Sequence, residues 1–271
     1  MLKNKKNIKI GKAEFDLKYI LLSIAGVFGF FFIWQLLVMT GIVNSKYLAA
    51  PTDILKLFFE KFVEVEPDGN TLQTNIFASL RVSLVGLLTA LVIGIPLGWL
   101  MGWYKWVDRF VTPLFEILRP IPPISWIPLT ILWLGIGLKA QAFIIFFAAF
   151  IPCVINSYTG IKQTNKVLIN VAKTFGASDF EIFIKVGIPS ALPITFAGIR
   201  VALGNSWSTL VAAEMLASSA GLGYMILMGR AFARPDIIVL GMFVIGVIGA
   251  IMTGILEWAE RKIVKGGEVN R

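Results

Sequence analysis

Hydrophobic positions in this chain fall into six long blocks, at residues 19–39, 76–101, 110–134, 140–160, 192–216 and 237–258, separated by shorter polar stretches. A helix rises about 1.5 Å per residue, so a run of about 20 apolar residues crosses a hydrocarbon layer of about 30 Å. Each block is read as one membrane-spanning helix. The first carries no charge, includes Trp34 and ends in Thr40-Gly41. It is longer than a signal-peptide core and lacks a small-residue cleavage site, which predicts a retained first helix. Residues 40–75 form a polar loop in which Pro51-Thr52-Asp53 resembles a helix start. A short amphipathic helix is expected over 54–65, closed by Pro67-Asp68-Gly69.

Composition agrees with the pattern. The 271 residues are 57% hydrophobic and only 15% charged, with mean hydropathy +0.80. A soluble domain carries about a quarter charged residues, so this chain lacks the material for a hydrated skin. It has no histidine and a single cysteine, Cys153. That removes histidine acid–base chemistry, Cys/His zinc sites and intrachain disulfides. The net charge of +9 bears on membrane orientation, not nucleic acid. With the N-terminus inside, the inside segments hold sixteen Lys and Arg against six outside, six of the sixteen being Lys3, Lys5, Lys6, Lys9, Lys12 and Lys18. Both termini, the basic segment 1–18 and the tail 259–271, are therefore expected in the cytoplasm.

Within the blocks, Gly86, Ala90, Gly94, Gly98 and Gly102 recur every four residues and make one narrow stripe suited to close helix packing; Gly246, Ala250 and Gly254 repeat the device. The third block contains Pro120, Pro122, Pro123 and Pro128. Freed backbone carbonyls are tolerated at membrane depth only where protein or water meets them, so this span is expected to face the interior of the bundle. Glu116 and Arg119 precede the prolines at a pairing distance, either as a structural ion pair or as a solute contact. The fifth block holds Arg200, Asn205, Ser206, Trp207, Ser208, Thr209 and Glu214, a polar series unsuited to lipid. Glu116, Arg119, Trp126, Arg200, Asn205, Trp207, Ser208 and Glu214 are the candidates for lining a pathway, with salt bridges as the competing use of the charges. Arg81 lies near a span end and can snorkel.

The connector at 162–190 reads as helix, glycine, helix. It carries apolar knobs at Val171, Phe175 and Phe180 beside Lys173, Lys185 and Glu181, which suits docking in a groove on a soluble partner. Gly176 is expected to let the two helices meet at an angle that a side chain would obstruct. This segment resembles the EAA loop of ABC-importer permeases. The pattern E-A-A-x-x-x-G, then nine residues, then I-x-L-P, aligns with Asn170, Val171, Ala172 and Gly176 and with Val186-Gly187-Ile188-Pro189. Asn170 replaces the glutamate and Val171 the first alanine, while the spacing from glycine to proline is intact. Leu118-Arg-Pro-Ile-Pro-Pro-Ile-Ser-Trp-Ile-Pro-Leu129, Trp133-Leu-Gly-Ile-Gly137, Gly198-Ile-Arg-Val-Ala-Leu-Gly204 and Gly221-Leu-Gly223 resemble the nitrate, sulfonate, taurine and bicarbonate branch of that family.

The resemblance implies an all-α membrane protein with six transmembrane helices in the type I ABC importer (MetI-like) permease fold. It implies a first helix at 19–39, a five-helix core at 76–258, and a coupling loop in which Asn170, Val171, Ala172, Lys173, Phe175, Gly176, Ala177, Phe180 and Pro189 meet the ATPase. It further implies a second permease copy, two cytoplasmic ATPase subunits that use ATP and Mg, an extracytoplasmic solute-binding protein, and residence in the bacterial cytoplasmic membrane. The solute it implies is a small anion of the nitrate, sulfonate, taurine or bicarbonate type, with a heterocyclic vitamin precursor as the alternative cargo. No Gly-x-x-x-x-Gly-Lys-Ser/Thr phosphate loop occurs in the chain, so the permease is expected to bind no ATP of its own. An ion-coupled carrier is the rival class, since Glu116, Glu214 and Arg200 would suit an intramembrane relay, but such a carrier has no use for a docking loop. A membrane-embedded enzyme is disfavoured by the lack of histidine, metal clusters and nucleophile–base pairs.

The charge distribution makes one direct prediction. With Cys153 replaced by Ala, a cysteine at Ser178 should react with an impermeant thiol reagent only after the cells are permeabilised; labelling in intact cells would reverse the topology.

Overall fold

The computed structural model describes residues 17–264, so the lysine-rich start through residue 16 and the tail from 265 lie outside the described residues. It is all-helical among the described residues, in the order α1 (Leu17–Met39), α2 (Pro51–Glu60), α3 (Leu72–Trp103), α4 (Lys105–Leu118), α5 (Ile127–Leu134), α6 (Leu138–Lys162), α7 (Lys166–Thr174), α8 (Asp179–Ile182), α9 (Ile188–Ala217), α10 (Leu222–Ala231) and α11 (Pro235–Ile263). Five helices or continuous helical stretches are long and apolar enough to cross a membrane, and α4 with the segment through α5 forms a sixth, broken crossing. Successive crossings alternate in direction. The ends of α3, α6 and α11 therefore share one face with the α7–α8 connector, called here the loop end.

The core is a slab of α3, α6 and α9. Gly86, Ala90, Gly94, Gly98 and Gly102 all lie on the face of α3 turned inward, and all are buried. A β-carbon added at Gly98 would stand 2.5 Å from the Val154 carbonyl oxygen, and one at Gly86 or Gly102 would meet Ile145 Cγ2 at 2.6 Å or Ile161 Cβ at 2.7 Å. The α6–α9 seam uses the same device, with Gly160 against the Ala191 carbonyl and Gly198 against Asn156 Cβ. Small residues let two backbones approach until dispersion contacts extend along both helices, which is the main source of association where lipid competes for apolar surface. The second predicted stripe behaves differently. Nothing lies within 4 Å of a β-carbon placed at Gly246 or Gly254, while Gly249, off that stripe, takes the edge of Trp207.

The third hydrophobic block is not one helix. It divides at Arg119–Pro122, and the two parts are bent by 82°. The prolines start structure instead of interrupting it: Pro122 precedes a 3-10 turn at Pro123–Trp126, and Pro128 sits in the first turn of α5. A proline there loses no intrahelical bond, because its missing N–H would have had no partner. The break is closed locally, with Ile121 N donating to Leu118 O at 3.1 Å and Ser125 N to Pro122 O at 2.9 Å. Only part of this span faces inward. Trp106, Phe110, Leu114 and Ile117 leave one side of α4 exposed, whereas Val107 and Phe115 are buried against the slab.

Other boundaries also differ from the sequence pattern. α2 stops at Glu60, short of the expected 54–65 helix, and α3 begins at Leu72, within the polar loop. α10 fills the gap between the fifth and sixth blocks; its ten residues cover about 15 Å, too short to cross a bilayer. α1 packs weakly, through α2, with Gln35 and Thr52 exchanging hydrogen bonds of 3.2 and 3.3 Å.

Close packing at Gly98 sets a measurable cost. Gly98→Leu should lower the thermal stability of the purified chain by about 2 kcal/mol or more through overpacking. Gly29→Leu on α1, where nothing lies within 4 Å of the added carbon, should leave it near wild type.

Candidate functional site

The α7–α8 connector is built by local signals that hold it in one shape. Asn165 caps α7, its side chain accepting from Val167 N at 2.8 Å. At the other end Ala177 N donates to Ala172 O at 3.1 Å and Gly176 N to Lys173 O at 2.9 Å, which is the pairing of a Schellman C-cap. That motif places Gly176 at φ +80°, while a β-carbon there would meet nothing within 4 Å. Gly176 is thus required for its backbone conformation, and not for the steric clearance expected from sequence. Ser178 and Glu181 then form a reciprocal capping box, with Ser178 N to Glu181 Oε2 at 3.0 Å and Glu181 N to Ser178 Oγ at 3.3 Å.

This rigid frame carries an uncovered apolar ridge. Phe175 is 86% and Phe180 63% exposed, flanked by exposed Val167, Leu168 and Val171. Asn170 and Lys173 are exposed beside it, while Ala172 and Ala177 are half-buried beneath. A phenylalanine ring in water loses the benefit of burial, about 2 kcal/mol each, so two rings fixed outward on capped helices are apolar surface that the single chain leaves uncovered. Beyond α8 a π-helical turn, Phe183–Gly187, runs into α9, with Pro189 exposed in the first turn of that helix.

The intramembrane candidates separate into distinct environments. Glu116 and Arg119 pair at 3.4 Å, both about half exposed, on the wall of a cavity of about 560 Å³ that also meets Asp108, Arg109 and Tyr158. Trp126 stacks on Phe147 with ring centres 4.9 Å apart. Arg200 pairs with Glu260 in the last turns of α11 at 2.7 Å, which puts it level with the loop end of α11 and shallower than its place in the hydrophobic block indicates. Trp207 is buried, its Nε1 donating to Ile245 O at 3.1 Å. Asn205 and Ser208 share the open face of α9 with Gly204, and among the described residues neither side chain makes a hydrogen bond.

Glu214 lies at the opposite end and is 1% exposed. It accepts from Ser79 Oγ at 2.6 Å and from Gly223 N at 2.8 Å, and so ties α9 to α3 and to the first turn of α10. The network continues where sequence reading found nothing. Leu222 N donates to Ser79 Oγ, Gly221 N to Asn75 Oδ1 and Asn75 Nδ2 to Asp68 Oδ2, while the fully buried Lys61 reaches Asp68 Oδ1 at 2.6 Å and the carbonyls of Glu66 and Asn70. Buried charge needs this degree of satisfaction. The α10 N-terminus supplies favourable partial charge to Glu214. Besides Glu214, the sequence signal that could have located this cluster is the pair Asn75 and Ser79, one turn apart at the start of α3.

Among the described residues no group of three or more His, Cys, Asp or Glu could hold a metal. The six crossings, one of them broken, and the uncovered ridge describe a multi-pass membrane protein with an exposed apolar connector. Comparison with known proteins agrees. Residues 94–265 match the family described as the binding-protein-dependent transport system inner membrane component. A chain of Methanocaldococcus jannaschii named as an ABC transporter permease protein is 39% identical over 265 residues, 97% of each chain. The taurine transport system permease protein of Escherichia coli is 32% identical, covering 85% of this chain and 84% of that one. The nitrate import permease protein of Synechocystis is 31% identical, covering 86% and 85%. Among solved structures, the methionine ABC transporter MetNI in inward-facing conformations superposes with a TM-score of 0.58 at 22% identity, over 74% of this chain and 96% of that one, a likeness of fold. The chain belongs to the binding-protein-dependent transport system inner membrane component family and is a multi-pass, non-enzymatic permease subunit of an ABC importer, with ATP used by a separate subunit.

Proposed function

We propose that the loop end is cytoplasmic and that the ridge of Phe175 and Phe180 seats in a groove of an ATPase subunit, one on each of two permease copies. The outward fixing of two aromatic rings on capped helices carries this reading. ATP-driven closure of the ATPase pair moves the docked loop, and the loop moves the bundle between outward-open and inward-open arrangements. The solute is a small anion handed over by an extracytoplasmic binding protein. This assignment follows the taurine and nitrate cargo named for two relatives that align over most of both chains. The path runs between the two copies along the open face of α9, where Asn205 and Ser208 offer neutral hydrogen-bonding groups and Arg200 lies at its cytoplasmic mouth. The Glu116–Arg119 pair sits on the same side of the membrane, on α4.

Two outcomes test this. Phe175→Asp should abolish co-purification of the ATPase without reducing the amount of inserted permease; normal co-purification would remove the ridge from the interface. Gly176→Asp forces a positive φ on a side chain, a strain of about 1–2 kcal/mol, and should reduce transport more than ATPase recovery.

The Arg200–Glu260 pair gives a second test. Its partial exposure limits the pair itself to about 1 kcal/mol, so Arg200→Gln and Glu260→Gln should lower stability equally. If Arg200 also supplies positive potential to a passing anion, uptake of labelled taurine or nitrate should fall further in Arg200→Gln than in Glu260→Gln. Equal uptake in the two variants would confine Arg200 to tying α9 to α11.

A further inference from the structure

The docking ridge is joined to the membrane bundle by the chain at both ends, from α6 into α7 through residues 163–165 and from α8 into α9, and by a side chain that reaches it from α3. The chain itself leads from α8 through the π-helical turn Phe183–Gly187 into α9. A π-helical turn inside a helix is under-wound and marks a place where the axis can yield. The non-covalent connection is Trp103, the last residue of α3. Its indole Nε1 donates to Asp179 Oδ2 at 3.0 Å, on the first residue of α8. Its ring centre lies 5.5 Å from that of Phe183, where the π-helical turn begins. Its six-membered ring occupies the space over Gly187, where the turn ends, so that a β-carbon on Gly187 would stand 3.0 Å from Trp103 Cζ3.

One side chain from α3 therefore touches the loop helix before the turn and both ends of the turn. Tyr104 adds a second ring, 5.8 Å from Phe183. Phe183 is itself buried in a cluster with Ile161 of α6 and Ala191 of α9. A planar ring with two torsions transmits force with little slack, and the N–H bond fixes its rotation about the remaining freedom.

We propose that Trp103 is a positioning residue that clamps the docking loop to α3, so that movement of the loop reaches the end of α3 directly and not only through the chain connections to α6 and α9. The proposal rests on the ATPase docking assigned above. Its consequence is that α3, locked to α6 by the glycine stripe and to α10 by Asn75 and Ser79, responds to the nucleotide state of the ATPase together with α9.

Hydrogen exchange in the assembled permease–ATPase complex, with and without ATP plus vanadate, reads the loop and the end of α3 separately. In the wild type, trapping should change exchange both in α7–α8 and in the last turn of α3 through the start of α4, residues 99–106. Trp103→Phe keeps a ring and loses the N–H donor; Asp179→Ala removes the acceptor from an exposed position that does not threaten the fold. Each should reduce the nucleotide-dependent change at 99–106 by about five-fold, the scale of one net hydrogen bond, while leaving the change in α7–α8 and the exchange without nucleotide as they were. Asp179→Asn retains an acceptor and should behave as wild type, and the double variant should be no worse than either single change. A response at 99–106 that survives in both Trp103→Phe and Asp179→Ala, with α7–α8 still responding, overturns the clamp and leaves the docking reading intact. Absence of any change in α7–α8 when the ATPase is added overturns the docking reading itself.

Discussion

Backbone-to-backbone contact between α3 and α6 is the constraint on which the rest of this permease depends. With lipid outside and no aqueous phase to drive apolar groups together, two helices associate through the number of atoms they bring into contact. The row from Gly86 to Gly102 brings α3 so close to α6 that the carbonyl of Val154 occupies the space of a missing side chain. The same arrangement at Gly160 and Gly198 adds α9. Such seams resist sliding, because each glycine position accepts one neighbour in one register. The result is a closely packed three-helix slab.

Polar residues then join the ends of this slab to their neighbours. At the end opposite the α7–α8 connector, Glu214, Ser79, Asn75, Asp68 and Lys61 bind the start of α10 and the 61–72 loop to α3 and α9 through hydrogen bonds that leave none of these charges without a partner. A charge pair of this kind adds little net stability over an apolar substitute, but losing one member is costly, so the network specifies one arrangement of loop and helix. At the loop end, Arg200 and Glu260 connect α9 to α11, and Trp103 connects α3 to α8. The third span is tied into the slab along only part of its length. Its prolines divide it into two short pieces bent by 82°, and one side of α4 is open.

Sequence alone determined the membrane class, the number of crossings and the helix–glycine–helix connector. These follow from properties that act locally: the length of apolar runs against bilayer thickness, the restriction of proline, and the capping chemistry of Asn165, Ser178 and Glu181. The α3 stripe was also legible, because a four-residue period places small residues on one helix face whatever they pack against. Which of two similar stripes would be used was not legible. Gly246, Ala250 and Gly254 have the same spacing, and only the crossing of α11 over α9 decides that Gly249 meets Trp207 instead.

The roles of individual polar residues were decided by tertiary structure. Arg200 looked deep in a hydrophobic block, yet α9 begins at Ile188 and α11 extends to Ile263, so the guanidinium lies level with a carboxylate 60 residues away. Trp207 sits in a polar series and turns inward to a backbone carbonyl, whereas Asn205 and Ser208 of the same series turn outward. Lys61 and Trp103 carried no visible signal, since a lysine in a polar loop or a tryptophan at a span end is ordinary, and Asp68 read only as part of a turn. Their partners are set by how distant helices cross: hydropathy and spacing fix which segments enter the membrane and which face of each is apolar, whereas a hydrogen bond across 76 or 135 residues exists only once the glycine seams have brought those helices together.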